Sequence, residues 1–363
     1  MVLSMRAHNF GAGPCTLPLD VLEEVRAEFL DFAGTGMSLI EMSHRSPEYE
    51  SIHDEALALA RAVAEAPDDF EVLFIQGGAT LQFAMVAMNL LGEGQRAGYV
   101  VSGSWGKRAL EDAGPHGDTY SAWDGKEHAY TRMPRSGEIE VRPDSRYLHI
   151  TTNETIGGIR MVHLPVVGVP LVADMSSEYL SRPIDWRLYD LVYGGVQKNL
   201  APAGMSVVYV RKSAMQKART DLGSFLRYSW HSETRSLGHT PPMFPIYIMG
   251  KVLTRLKQDG GIKAAERIAA EKASLLYRVI DGSDEFYRSP VDREVRSDMN
   301  VVFRLRDEAL EKQFVAASEA AGMVGLKGHR SVGGLRASLY FALPMASVEY
   351  LADFMSDFQA SHA

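Results

Sequence analysis

Six short apolar runs constrain this chain more than any other feature. They are Val72–Ile75, Tyr99–Val101, Tyr147–Ile150, Pro170–Ala173, Leu191–Tyr193 and Val207–Val210, and between about Asp20 and Lys251 they alternate with helical patterns. Short uninterrupted apolar runs suit strands buried on both faces, and their alternation with helices is the signature of a mostly parallel sheet covered by helices. Asp20 is placed to cap a helix carrying Val21, Leu22, Val25, Phe29 and Phe32. Ser46-Pro47 opens another carrying Tyr49, Ile52, Ala56, Leu59 and Val63.

The rhythm breaks at Thr240-Pro241-Pro242. Beyond it, helices are expected over Phe244–Lys257, Ile262–Ile280, near Glu308–Ala321 and from Ser347, with strands over Asn300–Leu305 and Gly334–Tyr340. That is the pattern of a smaller α+β domain. With 363 residues and ~150 residues per domain, the chain has room for one large or two moderate domains. No low-complexity tract or long linker separates the two parts, so they are expected to pack closely.

Composition narrows the function. A formal net charge of −8 and no concentrated basic stripe argue against nucleic acid and against an anionic membrane surface. The single cysteine, Cys15, forms no intrachain disulfide, and no Cys/His cluster offers a zinc site, so no metal is expected and the cytoplasm is the natural compartment. Apolar stretches stop well short of the ~18 residues of a membrane span. The first residues lack the apolar core of a signal peptide, and the whole chain is read as mature.

Three constellations then carry chemistry. Gln76-Gly77-Gly78-Ala79-Thr80 lies between a strand and a helix, where glycines let backbone approach an anion, helix N–H groups point at it, and Thr80 adds a hydroxyl. It matches neither dinucleotide nor P-loop fingerprints. Val172-Ala173-Asp174-Met175-Ser176-Ser177 ends an apolar run in an acid, which is either a helix cap or a partner for a cationic ligand group beyond the strand end. In Tyr193-Gly194-Gly195-Val196-Gln197-Lys198-Asn199, Lys198 is either solvated or held in a pocket, where burial frees its amine as a nucleophile. Anion cradle, strand-end Asp and strand-end Lys together are the fixtures pyridoxal phosphate requires, and Trp105, in Ser102-Gly103-Ser104-Trp105-Gly106, is placed to stack on its ring.

Seven segments in one order extend this over nearly the whole chain. They are Asn9-Phe10-Gly11-Ala12-Gly13-Pro14; Ser43-His44-Arg45; Asn153-Glu154-Thr155-Ile156-Gly157-Gly158; Ala173-Asp174-Met175-Ser176-Ser177 with Ser181-Arg182-Pro183-Ile184-Asp185; Gly195-Val196-Gln197-Lys198-Asn199; Thr240-Pro241-Pro242; and Lys327-Gly328-His329-Arg330 with Gly334-Leu335-Arg336-Ala337-Ser338. In these the sequence resembles the phosphoserine aminotransferase family among the class V, fold-type I pyridoxal phosphate enzymes. The resemblance implies an α/β fold with a mostly parallel seven-stranded sheet in a large cofactor-binding domain, residues 15–255. A smaller C-terminal α+β domain, residues 256–363, would be joined by the N-terminal segment 1–14.

By resemblance Lys198 is the Schiff-base lysine, Asp174 meets the pyridine nitrogen, Trp105 stacks, and Thr155 lies near the phenolic oxygen. Ala79, Thr80, Ser176 and Gln197 serve the cofactor phosphate and its surroundings, with His239 and Thr240 reaching across the interface of a homodimer. The implied reaction is reversible transamination between O-phospho-L-serine and 2-oxoglutarate, giving 3-phosphohydroxypyruvate and L-glutamate in serine biosynthesis. In some relatives 4-phosphohydroxy-L-threonine of pyridoxine biosynthesis is a second substrate. Arg336 would take the substrate carboxylate, and His44, Arg45, His329 and Arg330 would surround its phosphate, for which the planar Arg fork is suited.

Two positions depart from the pattern. Thr80 stands where some relatives carry Arg, and His239 stands where others carry Asn, which would make the interfacial contact sensitive to pH. Other class V activities remain open, such as an alanine–glyoxylate type, as does a non-catalytic anion-binding relative. A desulfurase is disfavoured because its nucleophilic cysteine would fall late in the chain, and the one cysteine is Cys15.

Overall fold

A computed structural model describes residues 6–135 and 137–362. The first five residues, part of the segment 1–14 assigned above to the small domain and of the expected leaderless N-terminus, lie outside the described residues. In chain order the elements are β1 (His8–Asn9), α1 (Leu19–Glu28), α2 (Pro47–Val63), β2 (Phe70–Gln76), α3 (Gly78–Leu90), β3 (Arg96–Val101), α4 (Ser104–Ala113), β4 (Asp118–Asp124) and β5 (Ser145–Thr151). They continue with β6 (Asn153–Glu154), β7 (Ile159–Arg160), β8 (Leu171–Asp174), β9 (Tyr189–Gly195), β10 (Met205–Arg211), α5 (Lys212–Met215), α6 (Tyr228–Glu233), α7 (Met243–Gln258) and α8 (Gly261–Asp281). Last come β11 (Tyr287–Arg288), β12 (Asn300–Leu305), α9 (Glu308–Ala320), β13 (Met323–Val324), β14 (Leu335–Ser338) and α10 (Met345–His362).

The large sheet has the order β2-β10-β9-β8-β5-β3-β4. Only β10 runs against its neighbours, pairing antiparallel with β2 and β9, while the β9/β8, β8/β5, β5/β3 and β3/β4 pairs are parallel. Six strands therefore point the same way and deliver their carboxyl ends to one edge. Their apolar runs are continuous because both faces are covered: Phe74, Val207 and Tyr209 belong to one buried cluster with α2 and α7, and Leu73, Ile75 and Val208 to another with α3 and α4.

All six expected strands form, and the seventh, β4, is the one the apolar pattern misses. It is an edge strand in which only Tyr120 and Ala122 are buried, so its polar residues face solvent. The expected Asp20 cap is also corrected. The helix begins two residues earlier than that cap requires, after Pro18, and Asp20 sits in the first turn with its Oδ1 accepting from the Val21 N–H. α1 stops at Glu28, leaving Phe32 in a separate 3-10 turn. Ser46 caps α2 as expected, its hydroxyl accepting from the Tyr49 N–H at 3.3 Å with Pro47 at the first helical position.

Beyond α7, the antiparallel sheet β11-β12-β14 packs with α8, α9 and α10 around a cluster that includes Leu276, Phe303, Phe314, Leu335 and Met355. The start of the chain joins this unit: β1 pairs parallel with β13, and Phe10 is fully buried in the same cluster. Polar contacts tie it to the large sheet, the Asn153 amide donating to Asn300 Oδ1 at 2.8 Å and the Phe341 N–H donating to Asn199 Oδ1 at 2.8 Å.

Candidate active site

The common strand edge gathers the chemistry-bearing loops. A cavity of about 300 Å³ opens there, lined by Gly77, Gly78, Ala79, Thr80, Phe83, Trp105, Asp174, Ser176, Gln197, Lys198, Ala203 and Gly204. Gly77 makes the turn from β2 into α3 at φ +98°, a conformation glycine tolerates, and a Cβ there would come within 2.8 Å of Leu81. The first N–H groups of α3 thus face the cavity with no side chain in front of them, an arrangement that accepts an anion.

Asp174 ends β8 and is buried. Its Oδ1 accepts from the Ser176 N–H at 2.9 Å and from the Ser176 hydroxyl at 2.5 Å, and that hydroxyl in turn accepts from the Gly195 N–H at 3.0 Å. Burial raises the Asp174 carboxyl above its ordinary range, against the opposing pull of Lys198 and the Ser176 donors. Lys198 follows β9. Its Nζ donates to Thr155 Oγ1 at 2.9 Å and stands 5.0 Å from the centroid of the Trp105 ring. Burial lowers the amine's pKa, the Asp174 and Glu154 carboxylates pull it back up, and Arg336 pushes it down again.

Arg336, on β14, reaches across from the small unit, its Nη1 lying 3.5 Å from the Thr155 carbonyl, and its buried Nε has no partner. His329 sits in the loop before β14, its Nδ1 2.7 Å from Ser331 Oγ, and burial, with Arg336 and Arg330 nearby, lowers its pKa. Arg330 is exposed. Of the residues singled out in the sequence, Ala79, Thr80, Trp105, Asp174, Ser176, Gln197 and Lys198 line one cavity, with Thr155 and Arg336 against it.

His44, Arg45, His239 and Thr240 do not line that cavity. His44 is buried with its Nε2 unpartnered, and Arg45 is exposed. His239 packs edge-on against Phe225 with centroids 4.9 Å apart, both its ring nitrogens lack partners, and Thr240 beside it is exposed. Burial lowers the pKa of His239 and the neighbouring His44 lowers it further, so the two histidines form one patch apart from Lys198. Cys15 is half-buried, its thiol pushed up to about 12 by burial and donating to the Thr16 carbonyl.

The sequence reading gave no role to Glu154, although the segment containing it was singled out. Glu154 is fully buried beside Thr155, and its carboxylate accepts from the N–H groups of Trp105 at 3.0 Å and Gly106 at 2.7 Å. A lone acid directly after the apolar run Tyr147–Ile150, among Thr151, Thr152, Asn153 and Thr155, is the available signal.

The donor set suits a phosphorylated, planar, cationic-ring aldehyde. It offers free helix N–H groups and Thr80 for a phosphate, a buried carboxylate for a protonated ring nitrogen, an aromatic face, and an enclosed amine. Such a fold and site define a class: residues 7–351 match the Aminotransferase class-V family model, and the chain belongs to the class-V aminotransferases. Within that class it falls with the phosphoserine aminotransferases. It is 50% identical over 360 residues to the phosphoserine aminotransferase of Niallia circulans, covering 99% of each chain. Its structure is similar to that of the phosphoserine aminotransferase from Bacillus circulans subsp. alkalophilus, with a TM-score of 0.96, 49% identity, and 99% and 100% coverage of the two chains. It is also similar to the pyridoxal phosphate-bound phosphoserine aminotransferase from Trichomonas vaginalis, with a TM-score of 0.92, 33% identity, and 97% and 100% coverage.

Proposed function

We propose that this chain binds pyridoxal 5'-phosphate and transfers the amino group of O-phospho-L-serine to 2-oxoglutarate, giving 3-phosphohydroxypyruvate and L-glutamate in serine biosynthesis. The observation that carries the reading is the enclosed Lys198 amine, hydrogen-bonded to Thr155 and facing Trp105 in the cavity that Asp174 also lines. An anion site alone gives no reason to bury that amine opposite the Asp174 carboxylate.

Bound pyridoxal phosphate supplies an electron-withdrawing ring that stabilises negative charge developing at the substrate Cα. Asp174, held by Ser176, keeps a proton on the ring nitrogen, and Trp105 covers one ring face. The N–H groups opening α3, with Thr80, hold the phosphate. Lys198, with its pKa lowered by burial, would take the proton from the substrate Cα and hand it to the cofactor carbon that carries the transferred nitrogen, and would run the same transfer in reverse with 2-oxoglutarate. Arg336 binds the substrate carboxylate with its unpaired guanidinium edge.

The substrate phosphate needs further donors. His329 and Arg330 stand near Arg336, and His44 and Arg45 are assigned to the same phosphate from a second copy of the chain, with His239 and Thr240 reaching the cofactor phosphate. A homodimer is supported by the apolar side chains exposed along one stretch, Leu19, Phe29, Leu30, Met37 and Ile40, of which Leu30 is 80% exposed. That stretch leads in sequence directly into His44-Arg45, which the same reading assigns to the partner's site. The proposed large unit is 15–255 and the small unit 256–363 with 1–14, the β1–β13 pairing supporting the last assignment. A cytoplasmic location is consistent with a chain holding one cysteine, and no helix among the described residues is long and apolar enough to cross a membrane.

The test is glutamate formation by the purified protein with pyridoxal phosphate and 2-oxoglutarate, comparing O-phospho-L-serine with L-serine and L-alanine. Two charge-assisted contacts to a phosphate amount to about 3–6 kcal/mol, so kcat/KM for phosphoserine should exceed the others by at least ~100-fold. Equal use of the unphosphorylated amino acids would overturn the substrate assignment.

A further inference from the structure

Glu154 has no part in the mechanism above, yet its surroundings are built for it. Its carboxylate takes the N–H groups of both Trp105 and Gly106 across 49 and 48 residues of sequence. α4 begins at Ser104, and its cap position, Gly103, has no side chain to offer those N–H groups. Gly103 and Gly106 also make the space: a Cβ on Gly103 would come 2.6 Å from the Glu154 carboxyl carbon, and one on Gly106 3.3 Å from its Oε1. The next residue, Thr155, accepts from Lys198 Nζ. Two consecutive residues therefore grip the Trp105 backbone and the lysine amine.

The charges around this pair come from several elements. Lys198 faces Asp174 on β8, Glu154 on β6 and Arg336 on β14. Glu154 faces Asp174 and Lys198, and Tyr130, whose hydroxyl feels the Glu154 charge, approaches from another loop. We propose that Glu154 is a positioning residue for the transamination, clamping Trp105 against the cavity and fixing, through the adjoining Thr155, the place of the Lys198 amine. The proposal rests on the reading of Lys198 and the cofactor given above.

A link between the two roles follows from the carboxyl group itself. Ionised, it accepts with both oxygens. Protonated, one oxygen becomes a donor and its bond to an amide N–H weakens. Burial pushes the Glu154 carboxyl up to about 7, against the Gly106 and Trp105 N–H groups that stabilise the ion. The same proton that loosens the grip on Trp105 thus removes a negative charge from beside Lys198.

The experiment uses the protein loaded with pyridoxal phosphate and reads the pH midpoint of its visible absorbance change, together with the cofactor dissociation constant. Glu154→Gln removes the charge and should move the midpoint down by about one pH unit, the size expected for a carboxylate several ångströms away in a poorly solvated site. Gly103→Ala keeps the charge but displaces the carboxyl group. It should weaken cofactor binding about 5-fold or more, the loss of roughly one hydrogen bond, with a smaller change of midpoint. Glu154→Asp, one methylene shorter, should behave like Gly103→Ala, and these two variants carry the test if Glu154→Gln does not fold. A coloured parent whose midpoint and cofactor affinity are unmoved in the variants overturns the proposal alone. A parent that takes up no coloured cofactor overturns the reading beneath it, and the proposal with it.

Discussion

The Lys198 amine donates a 2.9 Å hydrogen bond to the Thr155 hydroxyl, joining the loop after β9 to the loop after β6 across 43 residues of sequence. Both loops stand at the edge where the parallel strands end, and the bond aims the amine into the cavity. Thr155→Val keeps the shape and removes the acceptor. A hydrogen bond to a charged donor contributes about 1.5–3 kcal/mol, so this variant should bind cofactor at least ~10-fold more weakly by equilibrium dialysis while retaining its thermal transition. An unchanged dissociation constant would show that the contact does not orient the amine.

Asp174 offers a pH prediction with a definite sign. The Ser176 hydroxyl stabilises the ionised carboxylate, so it lowers a pKa that burial raises. Ser176→Ala should raise the Asp174 pKa and move the acid limb of kcat/KM to higher pH, leaving the alkaline limb in place. Asp174→Asn should lower kcat by ~100-fold or more, since the ring nitrogen then loses its anionic partner. Steady-state rates from pH 5 to 9 check both.

Arg336 and Arg330 should separate the two ends of the substrate. Arg336→Lys retains charge but loses the planar fork, and KM should rise about 10-fold or more for every amino acid tested. Arg330→Ala should raise KM for O-phospho-L-serine and leave that for an unphosphorylated donor within about 2-fold. A uniform effect of Arg330→Ala would remove it from the phosphate.

How far the sequence reveals this protein depends on the range of the interactions. The central strands are legible because both their faces are buried, whereas β4 alternates polar and apolar residues at an edge and has no run to read. Asp174 and Lys198 are legible because one ends a recognisable strand and the other closely follows one. Glu154 is not, because its role comes from amide groups 48 and 49 residues away. The position of His239, in an aromatic nest with Phe225 and Trp230 beside His44, is likewise set by tertiary packing that no local pattern encodes.

Stability should fall on acidification for a reason lying beneath the site. His149 stacks on Tyr99, its Nε2 is 2.9 Å from the Tyr193 hydroxyl, and burial lowers its pKa to about 3; burial lowers His231 to about 4. Unfolded histidine titrates near 6.5. Below that pH the unfolded chain binds protons that the folded chain refuses, so stability present above about pH 6.5 is lost as pH falls toward the folded values. Each histidine contributes at most ~1.4 kcal/mol per pH unit. Urea midpoints should therefore decline from pH 6.5 to 4.5, and His149→Gln should make the decline shallower. An equal slope in the variant would contradict the assignment.

An amine-bearing cofactor site that accepts a phosphorylated amino acid should show itself in the visible absorption spectrum of the pyridoxal phosphate-loaded protein before and after adding O-phospho-L-serine without any keto acid. The expected result is a yellow band that bleaches stoichiometrically with phosphoserine, recovers on adding 2-oxoglutarate, and loses its amino-acid response in Lys198→Ala. A protein that stays colourless, or a yellow band indifferent to phosphoserine, would contradict it.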